Sequence, residues 1–106
     1  MDIPEIDVDE LERHLEAGSA VYDVREDDEW EAAHIAGATL VPLSTVPDQL
    51  RTFPTDGPAY VICAKGARSA RAVEFLRDRG VDAINVAGGM GAWLESGKPA
   101  VSGADG

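Results

Sequence analysis

The one cysteine of the chain, Cys63, ends the apolar run Ala59-Tyr60-Val61-Ile62 and is followed by Ala64-Lys65-Gly66-Ala67-Arg68-Ser69. A short loop of small residues between a strand and a helix can curl until successive backbone N–H groups converge on its centre. The N-terminus of the following helix adds to that field. Ala64, Gly66 and Ala67 leave the amides uncovered, and Lys65 and Arg68 supply positive charge. Such surroundings favour a thiolate over a thiol and draw the pKa below the value of about 8.5 for a free cysteine. Cys63 is therefore the candidate nucleophile and Lys65 and Arg68 the candidate anion-binding side chains, with the backbone of Ala64, Gly66, Ala67 and Ser69 as the cradle. The competing reading is an inert buried cysteine closing a strand, the usual fate of a lone thiol. Small residues, two cations and a helix directly behind Cys63 favour the reactive reading.

Other chemistry-bearing side chains weigh towards structure. Asp23 and Arg25 stand at the end of a strand-like run, where a carboxylate and a guanidinium pair or cap the backbone. His34 precedes a turn and reads as a hydrogen-bonding residue rather than a general base. Trp30 and Trp93 read as packing residues, and Arg71 lies on a solvated helix face.

The elements that must hold the cysteine loop follow from local punctuation. Asp7 with Glu10 resembles a capping box before Leu11 and Leu15, and Gly18 is a stop, which predicts a helix over 8–17. Residues 20–24 read as a strand buried on both faces, residues 26–34 as a helix with acids at its start, and residues 39–41 as a short strand. Residues 44–50 read as a helix with Pro47 near its start. Residues 59–62 read as a strand ending at Cys63, residues 69–79 as a helix stopped by Gly80, 83–86 as a strand and 90–95 as a short helix. Strands and helices alternate, so the expected fold is a single α/β domain with a mostly parallel central sheet and helices on both faces, spanning residues 1–98 before a flexible tail at 99–106.

With 106 residues the chain is the size of one domain, and a lone cysteine excludes an intramolecular disulfide. Its net charge is −11, which argues against non-specific binding to nucleic acid or to an anionic membrane surface. The charge is uneven. Residues 1–31 hold 13 acidic and 2 basic residues, whereas residues 32–106 hold 7 of each, and Gly57 to Val73 contains no acid. The sequence thus predicts a positive patch around Cys63, with an acidic first third that serves either as a protein-docking face or as solvated surface. No long apolar run suggests a targeting or membrane segment, and a cytoplasmic location is the default expectation.

Four stretches together resemble the rhodanese family of single-domain sulfurtransferases: Tyr22-Asp23-Val24-Arg25 with Glu29-Trp30; His34-Ile35-Ala36-Gly37-Ala38 with Val41-Pro42; Tyr60-Val61-Ile62-Cys63 through Gly66 to Arg68-Ser69; and Gly88-Gly89 with Ala92-Trp93. Ala33 departs from the family's usual glycine before His-Ile, and only a local change in the turn is expected from it. The resemblance implies a two-step sulfur transfer, with Cys63 taking a sulfane sulfur from an anionic donor such as thiosulfate as a persulfide. The sulfur would pass to cyanide in vitro and to a small thiol or a protein in the cell, with no metal or organic cofactor. In the same resemblance, the loop from Ala64 to Ser69 would stabilise the thiolate and persulfide, and Lys65 and Arg68 would attract the donor. Two alternatives accompany it. One is a non-enzymatic binding or persulfide-carrier module; the other is a phosphatase of the same fold, disfavoured because four residues rather than five separate Cys63 from Arg68.

Overall fold

The Asp7 carboxylate accepts the Glu10 N–H at 2.9 Å and the Glu10 side chain returns to the Asp7 N–H, the reciprocal cap that their spacing predicts. This cap opens helix α1, Val8–Glu16, in a computed structural model that describes residues 2–104. Strand β1, Glu5–Ile6, precedes it. Strand β2 (Val21–Asp23), helix α2 (Asp27–Ala32) and strand β3 (Thr39–Leu40) follow, then two 3-10 segments at Leu43–Asp48 and Leu50–Thr52. Strand β4 (Ala59–Ile62), helix α3 (Ala67–Arg77), strand β5 (Ala83–Val86) and helix α4 (Gly89–Glu95) complete the order.

All five strands run parallel in the order β1-β5-β4-β2-β3. A parallel sheet needs cover on both faces, and the period-2 alternation of the strands supplies two apolar layers. Tyr22, Val24, Ala59, Val61 and Ala83 pack with Ala72, Val73 and Leu76 of α3 and with Val46 and Phe53. Val21, Tyr60, Ile62 and Val86 pack on the other face with Val8 and Leu11 of α1 and Met90 and Trp93 of α4. Cys63 continues the alternation of Ala59 and Val61, so its side chain enters the layer covered by α3.

Chain direction makes one crevice special. From β2 the chain moves outward to β3; it then returns to β4 on the other side of β2 and continues to β5 in the opposite direction. The carboxyl ends of β2 and β4 therefore flank a topological switch point, the place where open parallel sheets seat ligands. Asp23 and Arg25 lie at one lip and Cys63 at the other.

Several boundaries differ from the sequence expectation for physical reasons. Residues 44–50 form no α-helix: Pro47 lacks an N–H, and Thr45 Oγ1 donates to the Pro42 carbonyl at 2.7 Å, tightening the segment into 3-10 turns. Helix α2 ends at Ala32 because Ala33 is extended, at φ −168° and ψ 135°. Any residue adopts that conformation, so alanine is accommodated there without strain. Beyond it His34 exchanges backbone hydrogen bonds with Val101, each 2.8 Å long, and the Gly103 N–H reaches the Glu31 carbonyl at 2.8 Å. Residues 99–104 are thus anchored to α2 and the turn after it, contacts absent from the expectation of a flexible tail; residues 105–106 lie outside the described residues.

Candidate active site

Gly66 adopts φ +107° and stands at the N-cap of α3, which lets the loop turn sharply and starts the helix two residues earlier than the sequence suggests. The turn carries the Gly66 N–H to 3.1 Å from Cys63 Sγ, and the Ser69 hydroxyl lies at 3.3 Å from it. The loop's carbonyls face the opposite way. Cys63 O accepts the Met90 N–H at 2.8 Å and Ala64 O accepts the Gly91 N–H at 2.9 Å, both from the first turn of α4. Clamping two carbonyls outward leaves the inner side of the loop to its amides. The clamp requires Gly89, whose φ is +55° and where a Cβ would collide with Cys63 O and stand 2.8 Å from the Ala64 carbonyl carbon.

The thiol responds to two opposed influences. Burial, with Cys63 only 1% exposed, pushes its pKa up; the Ser69 hydroxyl and the backbone amides of Ser69, Gly66 and Lys65 pull it down and prevail, so it lies below its ordinary value. Of the expected cradle of Ala64, Gly66, Ala67 and Ser69, the amides of Gly66 and Ser69 therefore act on the sulfur. The Lys65 amide, within the same loop from Ala64 to Ser69, lowers it with them.

Ser69 is also held from behind. Its hydroxyl lies 2.5 Å from Asn85 Oδ1, and the Asn85 amide is fixed because its Nδ2 donates to Glu5 Oε2 at 2.8 Å and to Gly66 O at 3.3 Å. Register explains the meeting: Glu5 pairs with Asn85 across β1 and β5, and Val61 pairs with Asn85 across β4 and β5, so Glu5, Asn85, Val61 and then Cys63 share a face. Neither Glu5 nor Asn85 was singled out as a site residue by sequence reasoning. The available signal was an amide inside the buried strand run Ala83-Ile84-Asn85-Val86, since a buried polar group demands partners.

Arg68 is not the free cation the sequence suggested. Its two terminal nitrogens donate to the Glu29 carboxylate of α2 at 2.7 and 2.8 Å. That bond, with burial opposing it, holds the Glu29 carboxyl down at about 2 and raises the Arg68 guanidinium further above its already high value. Lys65 is exposed and forms no ion pair among the described residues. At the other lip Asp23 and Arg25 form a buried bidentate pair with contacts of 2.8–3.1 Å, and Arg25 also donates to Ala33 O at 2.7 Å. This is the structural pairing their position predicts.

Among the described residues, none of the other candidates is hydrogen-bonded to the sulfur. His34 is fully buried and stacks on Trp30 at 3.6 Å, with Nδ1 at 2.7 Å from Trp30 O. Trp93 of α4 packs in the apolar layer with Val8 and Leu11 of α1 and donates to Pro99 O at 2.8 Å. Arg71 is exposed, as its helix face predicts.

A parallel sheet carrying a cysteine loop at its switch point, with a helix behind the loop and a glycine pair clamping it, defines a rhodanese-type domain, and comparison with known proteins agrees. The family described as Rhodanese-like domain matches residues 7–96, and the chain belongs to it. It is 35% identical over 101 residues to the Bacillus subtilis (strain 168) protein YtwF, provisionally named a sulfurtransferase, covering 93% of this chain and 98% of that one. It is 33% identical over 84 residues to a thiosulfate sulfurtransferase, GlpE, of Pseudomonas putida, covering 78% and 76%. A rhodanese-related protein of Thermoplasma volcanium superposes with a TM-score of 0.87 at 37% identity over 92% of this chain and 97% of that chain. Other relatives are longer, and the chain spans 59% of a second Bacillus subtilis protein and 24% of a Mycobacterium tuberculosis one.

Proposed function

We propose that this protein is a sulfurtransferase that carries sulfane sulfur on Cys63. The observation that carries the reading is the position of Sγ at the switch point, where the Gly66 amide and the Ser69 hydroxyl reach it and hold its pKa below the usual range. The thiosulfate sulfurtransferase name of the Pseudomonas putida relative supports thiosulfate as a donor. In the first step the Cys63 thiolate attacks the outer sulfur of thiosulfate. A bond forms between Sγ and that sulfur as the sulfur–sulfur bond of the donor breaks, and sulfite leaves with the electron pair. In the second step a nucleophilic acceptor, cyanide in the assay and a thiol or protein thiol in the cell, takes the outer sulfur. The persulfide bond breaks and its electron pair returns to Cys63 as thiolate. Splitting one transfer into two displacements is covalent catalysis. The amides and hydroxyl that stabilise the thiolate can shift to the persulfide anion, so the same groups serve both halves.

The phosphatase alternative gains nothing from the site, because both terminal nitrogens of Arg68 are taken by Glu29 and are not directed at an anion over Cys63. The deciding experiment is intact-protein mass spectrometry after exposure to thiosulfate. One added sulfur mapped to Cys63, absent from Cys63→Ser and discharged by cyanide as thiocyanate, is the expected outcome. A wild-type protein that gains no sulfur sinks the proposal.

A further inference from the structure

The acid-free stretch around Cys63 is a property of the sequence that folding undoes. Helix α2, capped by Glu26 and opening with Asp27 and Asp28, all three exposed, meets the loop through Glu29, which grips Arg68 through both terminal nitrogens. Arg68 adjoins Ser69, whose hydroxyl hydrogen-bonds the sulfur, and lies close enough to Cys63 for a thiolate there to reinforce the charge on the guanidinium. The Asp23–Arg25 pair on the other lip cancels internally. Of the two cations in the loop, Lys65 alone is left without a carboxylate partner among the described residues.

We propose that Glu29 is a specificity residue of this site: by neutralising Arg68 it lowers the preference for doubly charged sulfur donors and shifts the site towards donors carrying one charge or none. The inference rests on the sulfur-transfer reading and sharpens it with a substrate class. A dianion such as thiosulfate gains from every uncompensated cation near the sulfur, whereas an organic thiosulfonate monoanion, which presents the same sulfane sulfur, gains about half as much from the same field. A bidentate, part-buried pair resists screening better than an exposed one, with side chains here 34% and 30% exposed.

Glu29→Gln tests this, since it keeps the shape and one acceptor for Arg68 while removing the charge. Two ratios are read. One compares alkylation of Cys63 by iodoacetate with alkylation by iodoacetamide, which differ in charge and need no sulfur transfer. The other compares the KM for thiosulfate with that for benzenethiosulfonate. In Glu29→Gln the iodoacetate-to-iodoacetamide ratio should rise roughly 3- to 10-fold and the thiosulfate-to-thiosulfonate KM ratio should fall by a similar factor, both less at high salt. Arg68→Gln, which leaves Glu29 uncompensated, should move both ratios the opposite way and serves if Glu29→Gln is poorly folded. Ratios that stay at the wild-type value while only the melting temperature changes would make Glu29 a structural clasp and overturn the proposal. If the wild type takes sulfur from neither donor, the sulfur-transfer reading fails, and the alkylation ratio alone still decides whether Glu29 sets the anion preference of this thiol.

Discussion

Ser69 carries one hydroxyl proton and faces two acceptors, Cys63 Sγ at 3.3 Å and Asn85 Oδ1 at 2.5 Å. While Cys63 is a thiol, the S–H can donate to Ser69 Oγ and the Ser69 proton can stay on Asn85. Once Cys63 is a thiolate, the hydroxyl stabilises it only by rotating away from Asn85, which competes for the same proton. The Cys63 thiol lies below its ordinary value, so its thiolate is present above the folded pKa and is lost as pH falls through it. Ser69→Ala removes a lowering influence. The midpoint of the iodoacetamide rate against pH should therefore move up, and the rate at pH 7 should fall roughly 3- to 10-fold. An unmoved midpoint would mean that the Ser69 proton stays on Asn85 in both states. Truncation also leaves buried Asn85 Oδ1 without its donor, a loss of about 1–3 kcal/mol readable by denaturant unfolding. Cys63, Gly66 and Ser69 could be singled out from the sequence because they fall within seven consecutive residues. Asn85 and Glu29 were not, because their contacts span 16 and 39 residues and depend on strand register and on where a helix lands.

At the scale of elements, β4 and β5 matched their expected limits because each is a compact apolar run with breakers close to it. Strand β1 went unseen: two residues, one of them a glutamate, carry no strand pattern, and only pairing with β5 defines them. The expected helix over 44–50 failed where Pro47 and the Thr45 hydroxyl outweighed local periodicity. Two element-level contacts give predictions. Gly89→Ala adds about 1–2 kcal/mol of left-handed backbone strain and drives a Cβ into the Cys63 and Ala64 carbonyls. The substitution should therefore lower stability and also slow Cys63 alkylation by displacing the loop. Gly57→Ala, which meets no atom within 4 Å and needs no positive φ, is the control expected to change neither. Asp23→Leu strands a guanidinium in the sheet's crevice, because the Arg25 and Asp23 side chains are only 7% and 1% exposed. Its expected penalty is about 3–5 kcal/mol in denaturant unfolding, and a smaller change would show that Ala33 O and water suffice for Arg25.

For the whole molecule, the net charge of −11 and the environment of Cys63 act over different distances. The fold measures 33 × 25 × 24 Å, so at 0.01 M salt, where the Debye length is about 30 Å, every carboxylate on it is felt at the sulfur. At 0.15 M the length is about 8 Å, and only the loop and its immediate neighbours remain. Those neighbours include Lys65 and the Glu29–Arg68 pair, with Glu26 acting on Arg68, so among the described residues Lys65 is the loop cation left without a carboxylate partner. Raising ionic strength between these limits should therefore speed the reaction of Cys63 with iodoacetate relative to iodoacetamide, because the repulsion removed is long-ranged and the attraction left is local. A ratio that falls with salt would mean that the Lys65 field outweighs the acidic surface even at long range, and the acids of residues 1–31 would then have no part in selecting the donor.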